Sequence, residues 1–241
     1  MSFIIPHWQA PKNIKAISST RIGGFSHDLY AGLNISTHVG DDLIAVNKNR
    51  KWLVEAANMP SVPVWLKQTH SVHVEEIFYP VNYIVESDGA FTKCVNTVCS
   101  ILTADCLPIL LTNIQGTQVA ALHAGWRGLA RGIVENGVNK FDGEIIAWLG
   151  PAIGHSVFEV GECVVQEFLN SSLDVYKAFK YRKCTNKWLV DITLLAKKLL
   201  NQAGVVKITS SGLCTYSNKI FYSYRRDGIT GRQGSFIWIE D

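Results

Sequence analysis

At 241 residues with 47% hydrophobic content, the chain is long enough to bury a sizeable core and reads as one large domain over residues 1–241. A net charge of +3 supplies no basic stripe of the kind a nucleic-acid surface needs, and no apolar run approaches the roughly 18 residues required to span a bilayer. Neither nucleic acid nor membrane is expected as a partner, and without a charged-then-apolar opening segment the expected location is cytoplasmic.

In chain order, β-branched and aromatic residues predict strands over 14–20, 62–67, 95–102, 107–112, 118–123, 144–149 and 236–239. A helix over about 42–58 places Leu43, Val46, Leu53 and Ala57 on one stripe, with Arg50 among them and in need of a partner. A second helix is expected from after Gly128 to about Phe141. A third starts at Asp191, a favourable N-cap, and carries Ile192, Leu195, Ala196, Leu199 and Ala203 on one face before Gly204. Strands and helices mixed in this way, with no repeat or linker, predict an α/β or α+β protein with a largely mixed sheet.

Six cysteines in a chain of this length without a secretory signal are expected to be reduced, so each needs its own explanation. Cys106 stands out. It lies in Thr103-Ala104-Asp105-Cys106-Leu107-Pro108, between two apolar strands, while His70 and His123 also fall at or just beyond predicted strand ends. One thiolate and two imidazoles suit zinc and leave a fourth position open. The spacings alone match no short zinc signature and equally describe a buried cysteine with two hydrogen-bonded histidines. The same residues also allow a Cys–His nucleophilic pair with Cys106 as thiolate. Asp105 either caps the turn or orients a ligand. His73 is expected to project elsewhere, on the surface.

Two further stretches bear on binding. Phe221 to Arg232 combines aromatics, three arginines and two glycines, which suits an anion or a ring and equally a charged turn. Thr20 to Ser26 is a Gly-containing loop, followed by Gly32-Leu33-Asn34, without the ending of a Walker loop.

Gln68-Thr69-His70, the Cys106 segment, His123-Ala124-Gly125-Trp126-Arg127-Gly128, Gly150-Pro151-Ala152-Ile153-Gly154 and the Tyr222–Arg232 stretch together resemble the YfiH or laccase-domain family over nearly the whole chain. That resemblance implies a layered α/β/β/α domain in which His70, Cys106 and His123 bind zinc. It further implies a purine nucleoside phosphorylase acting on adenosine, inosine and methylthioadenosine with phosphate, and able to deaminate adenosine through metal-activated water. Arg50, Arg127, Arg225 and Asn34 are the expected substrate or phosphate contacts, and Glu159 and Asp105 the candidate acid/base groups.

Two rival activities come with the family. Copper can replace zinc at such N/S sites and oxidise phenols, but a multicopper oxidase needs many paired imidazoles, whereas this chain has seven His and no His-x-His. An amidase that edits a cytoplasmic peptidoglycan precursor would use the same Cys106 or zinc centre.

Overall fold

Alternation with a period of two decides how the layers stack. The computed structural model describes residues 3–80, 83–169 and 175–241. Six strands form the larger sheet, in the order β13 (Lys207–Ser210), β9 (Ile145–Leu149), β7 (Leu107–Asn113), β8 (Val119–Ala124), β5 (Gly89–Thr92) and β3 (Val74–Glu76). The two outer pairs are parallel and the inner ones antiparallel. The second sheet is antiparallel, β1 (Ile14–Ser18), β14 (Gln233–Ile239) and β6 (Cys99–Thr103).

On β7 and β8, Leu107, Ile109, Leu111, Ala120, Leu122 and Ala124 enter one core, while Leu110, Val119 and Ala121 enter another. The first core is closed by helices α2 (Trp126–Arg131), α3 (Ile133–Val138), α4 (Glu162–Leu169) and α5 (Ile192–Gln202). The second lies between the sheets, where Ile14, Ile101, Ile237 and Ile239 meet Leu110 and Trp148. The outer face of the second sheet, with Ile17, Phe236 and Trp238, packs on Leu53 of α1 (Leu43–Ala56). The layers are thus α/β/β/α, as the family resemblance implies. Each fully buried Leu or Ile in these layers contributes about 1.5–3 kcal/mol.

Asp191 caps its helix as expected, and Asp42 does the same for α1. The Asp42 carboxylate accepts from Ile44 N at 2.9 Å and that of Asp191 from Leu194 N at 2.8 Å. Other expectations need correction. The helix expected after Gly128 starts at Trp126 and breaks at Gly132, whose φ of 104° no helix interior accommodates. Strand 62–67 shrinks to β2 (Leu66–Lys67), paired with β4 (Val85–Glu86), because Pro63 has no N–H to donate. Strand 95–102 begins only at Cys99, since Asn96 adopts a φ of 59°. Leu43 is exposed, and Ala45 and Asn49 take its place on the buried stripe. A three-stranded sheet of β10 (Glu159–Val160), β12 (Lys187–Val190) and β11 (Phe179–Arg182) was not expected at all. Among the described residues no helix is long and apolar enough to cross a membrane.

Candidate metal centre

The register of the central strands brings the chemistry to one end of the two sheets. His123 lies opposite Pro108 in the β7–β8 pair, so Cys106, just before β7, comes next to it. Thr103 closes β6 opposite Gln233, which places Arg232 at the same end. His70 follows β2 and is brought in by Gln68, whose amide donates to Leu102 O at 2.8 Å and accepts from Leu102 N at 2.7 Å. In effect Gln68 supplies the two bonds that a further strand residue would make to the edge of β6.

His70, Cys106 and His123 each offer one ligand atom, and these atoms lie within 4.8 Å of one another. The Cys106 Sγ to His70 Nε2 separation is 3.8 Å. Zinc bonds of roughly 2.0–2.3 Å in a tetrahedron require donors about 3.5 Å apart, so the donor chemistry and the spacing both fit. The approach depends on Gly125. A Cβ there would lie 3.0 Å from His70 Cδ2 and 3.1 Å from Cys106 Sγ. His123 is buried, Cys106 half-buried and His70 exposed, so the cluster opens on one side.

Asp88, which the sequence reading passed over, holds both histidines. Its buried carboxylate accepts from Thr69 N at 3.0 Å, His70 N at 3.0 Å, Ser71 N at 2.7 Å, Ser71 Oγ at 2.8 Å and His123 Nδ1 at 2.7 Å. Burial alone would push this carboxyl up, but the hydrogen bonds from His123 and Ser71 hold it well below the usual range. With Nδ1 engaged, His123 has Nε2 left for the cluster. Burial raises the Cys106 thiol, yet the charge of His123 and hydrogen bonds from both histidines bring it down to about 6. Burial lowers His123, and Cys106 and Asp88 together bring it up to about 9. Without a metal, the pair is therefore thiolate and imidazolium at neutral pH.

Beside the cluster lies a cavity of about 360 Å³, whose walls include Ser36, His38, Gln68, Thr103, Tyr224 and Arg232. Larger hollows of about 570 and 680 Å³ lie against Phe25 and Lys48 and against Trp8 and Lys207, away from the cluster. Among the described residues, His70, Cys106 and His123 are the one group of this kind that could hold a metal.

The remaining candidates lie outside this cavity. Arg50 has found its partners: the guanidinium stacks 3.9 Å over Trp65 and donates to Ile35 O at 2.8 Å. Arg127 is exposed and lies over Trp126. Arg225 donates to Val157 O and Glu159 O, fastening the segment ahead of α4. Asn34 is fully buried and spends its side chain on Ser36, Asp41 and the backbone N of Arg232. Asp105 turns away from the cluster, accepting from Thr215 Oγ1 at 2.6 Å and Arg225 N at 2.6 Å, so its carboxylate ties distant segments together and neither caps its own turn nor touches a ligand. Glu159 pairs with Arg182 and Lys187. His73 is exposed and bonded to Glu75.

An α/β/β/α fold that gathers two imidazoles and a thiolate at its strand ends, beside an open cavity, defines a protein with a candidate three-ligand metal centre. The chain belongs to the YfiH or laccase-domain family, since the model described as "Multi-copper polyphenol oxidoreductase laccase" matches residues 15–240. It is 45% identical over 240 residues, 98% of each chain, to the Escherichia coli (strain K12) protein named "Purine nucleoside phosphorylase YfiH". A Haemophilus influenzae protein named "Purine nucleoside phosphorylase" is 43% identical over 245 residues, the whole of both chains. The crystal structure of a Neisseria meningitidis protein superposes with a TM-score of 0.92 at 37% identity, covering 99% of each chain.

Proposed function

We propose that this chain is a zinc-dependent purine nucleoside phosphorylase, acting on inosine, adenosine or methylthioadenosine with phosphate, and that the same centre deaminates adenosine. The observation that carries this reading is the convergence of His70, Cys106 and His123 beside a cavity in a chain whose relatives are named purine nucleoside phosphorylases. His70, Cys106 and His123 hold the metal, which when bound supplies a Lewis acid for polarising oxygen and activating water.

The chain's own groups do the rest. Asp88 fixes the His123 ring and, already saturated with donors, is not free to act as a base. Tyr224, on the cavity wall, offers a ring face for a purine. Asp105 and Glu159 are engaged elsewhere, which leaves His38 as the cavity imidazole outside the cluster, placed to carry a proton.

Elemental analysis combined with turnover of inosine and adenosine, with and without phosphate, tests the proposal. About one zinc per chain and phosphate-dependent release of free base are expected. Metal-free protein whose activity ignores phosphate would instead favour a Cys106 hydrolase. Copper in place of zinc, with oxidation of phenols, would favour the oxidase after which the family model is named.

A further inference from the structure

Arg232 lies on the wall of the cavity and makes no ion pair among the described residues. Its Nη1 donates to Thr230 O at 2.8 Å and Gly231 O at 2.9 Å, while Nε and Nη2 have no partner among the described residues. Among the described residues no carboxylate reaches it in an ion pair, and the charges that act on it most are those of Cys106 and Asp105. Its backbone is fixed from below by Asn34 Oδ1, which accepts from Arg232 N at 2.9 Å. A Cβ on Gly231 would lie 2.7 Å from the Tyr222 ring and 2.9 Å from Asn34 Cβ, so the Thr230–Arg232 arch is pressed onto its support. Arg232 is thus a firmly mounted, half-buried cation with spare donors, on the wall of the same cavity as His70, Cys106 and His123.

A second observation at the same wall is independent of the first. Thr103 is among the residues of the cavity wall, is 2% exposed, and its Oγ1, itself buried, has no hydrogen-bond partner among the described residues. A buried hydroxyl left unpaired costs about 1–3 kcal/mol, so such groups ordinarily have a ligand or water to meet. A planar guanidinium fork beside a hydroxyl donor suits a tetrahedral oxyanion.

We propose that Arg232 and Thr103 form the phosphate subsite of this cavity, holding the oxyanion beside the His70–Cys106–His123 cluster. This inference rests on the phosphorylase reading for the source of the oxyanion, namely free phosphate as co-substrate. The same chemistry would also hold the phosphate group of a nucleotide. Neither Arg50, Arg127 nor Arg225 serves this role, since their guanidiniums stack or bond outside the cavity.

Calorimetric titration of the zinc-loaded protein with inorganic phosphate, and separately with inosine monophosphate, tests it. Losing a bidentate charged contact weakens phosphate binding by at least about tenfold, so Arg232→Gln is expected to raise the phosphate Kd by that factor. Arg232→Lys should recover part of the loss, Thr103→Val should give a smaller loss, and Arg127→Gln should match the native protein, all with unchanged zinc content. In turnover, the phosphate KM of Arg232→Gln should rise more than its nucleoside KM.

If phosphate binds Arg232→Gln as it binds native protein, the subsite is overturned, even where base release remains phosphate-dependent and the phosphorylase reading stands. If native protein shows no phosphate-dependent base release but loses phosphate binding on Arg232→Gln, the subsite stands and that reading fails. Loss of nucleotide binding with free phosphate binding unchanged overturns the assignment to a co-substrate.

Discussion

Two buried aspartates flank the cluster, and they do opposite jobs. Asp105 is next to Cys106 in the chain, yet its carboxylate turns away to hold Thr215 and the backbone of Arg225. Asp88 is 18 residues from His70 and 35 from His123, yet it touches both. What orients a ligand here is the meeting of β4, β5 and β8, and chain proximity is a poor guide to it. Asp105 shapes the loop that presents Cys106, whereas Asp88 fixes the His123 ring and the backbone that carries His70.

The comparison can be broken or sharpened by experiment. Cys106→Ala removes a ligand outright, and zinc affinity should fall further than the roughly 100-fold that an outer partner can cost, with turnover lost. Zinc titration read by a competing chromophoric chelator checks it. Asp88→Asn should weaken zinc by about 10–100-fold in the same assay, because an amide cannot accept all five donors. A Kd for Asp88→Asn equal to native would remove the distinction between the two aspartates.

The thiolate–imidazolium pair sets a third expectation. With Cys106 brought down to about 6 and His123 up to about 9, the metal-free pair carries its proton on His123 throughout that window. Metal coordination must release it. Zinc binding at pH 7 should therefore liberate about one proton, and its Kd should tighten by about tenfold per pH unit between 6 and 9. Calorimetry in buffers of different ionisation enthalpy measures both. Gly125→Ala, whose backbone φ of −66° suits alanine, adds only a methyl group against His70 and Cys106, and a smaller weakening of zinc binding is expected. Asp105→Asn should act chiefly on stability, by about 1 kcal/mol in denaturant unfolding, with much less effect on zinc.

The sequence showed those parts of the molecule that depend on local pattern. Strands β7 and β8 were legible because apolar residues fill both faces between turn residues, and α5 because Asp191 caps a clean stripe. The three cluster residues were legible as thiol and imidazoles at strand ends. Asp88 was not, because most of its partners are backbone N–H groups at 69–71, which leave no mark on residue identity. The places of the arginines were not legible for a similar reason: an Arg signals nothing until its guanidinium meets something. Arg50 met Trp65, while Arg232 met an open cavity. The short strands β10 to β12 were missed because two to four residues carry too little alternation to register.

Exposure differs sharply between the two imidazoles, and this gives the centre a front door. His123 is 4% exposed and clamped by Asp88, whereas the His70 ring is exposed and meets only Cys106 and the edge of the His123 ring. Metal exchange should therefore be ordered: His70 lets go first and rebinds last, with Cys106 and His123 keeping the ion in the interval. A chelator would work by capturing that half-released state, so the rate of metal loss should follow the exposure of the His70 ring far more than the strength of the buried ligands.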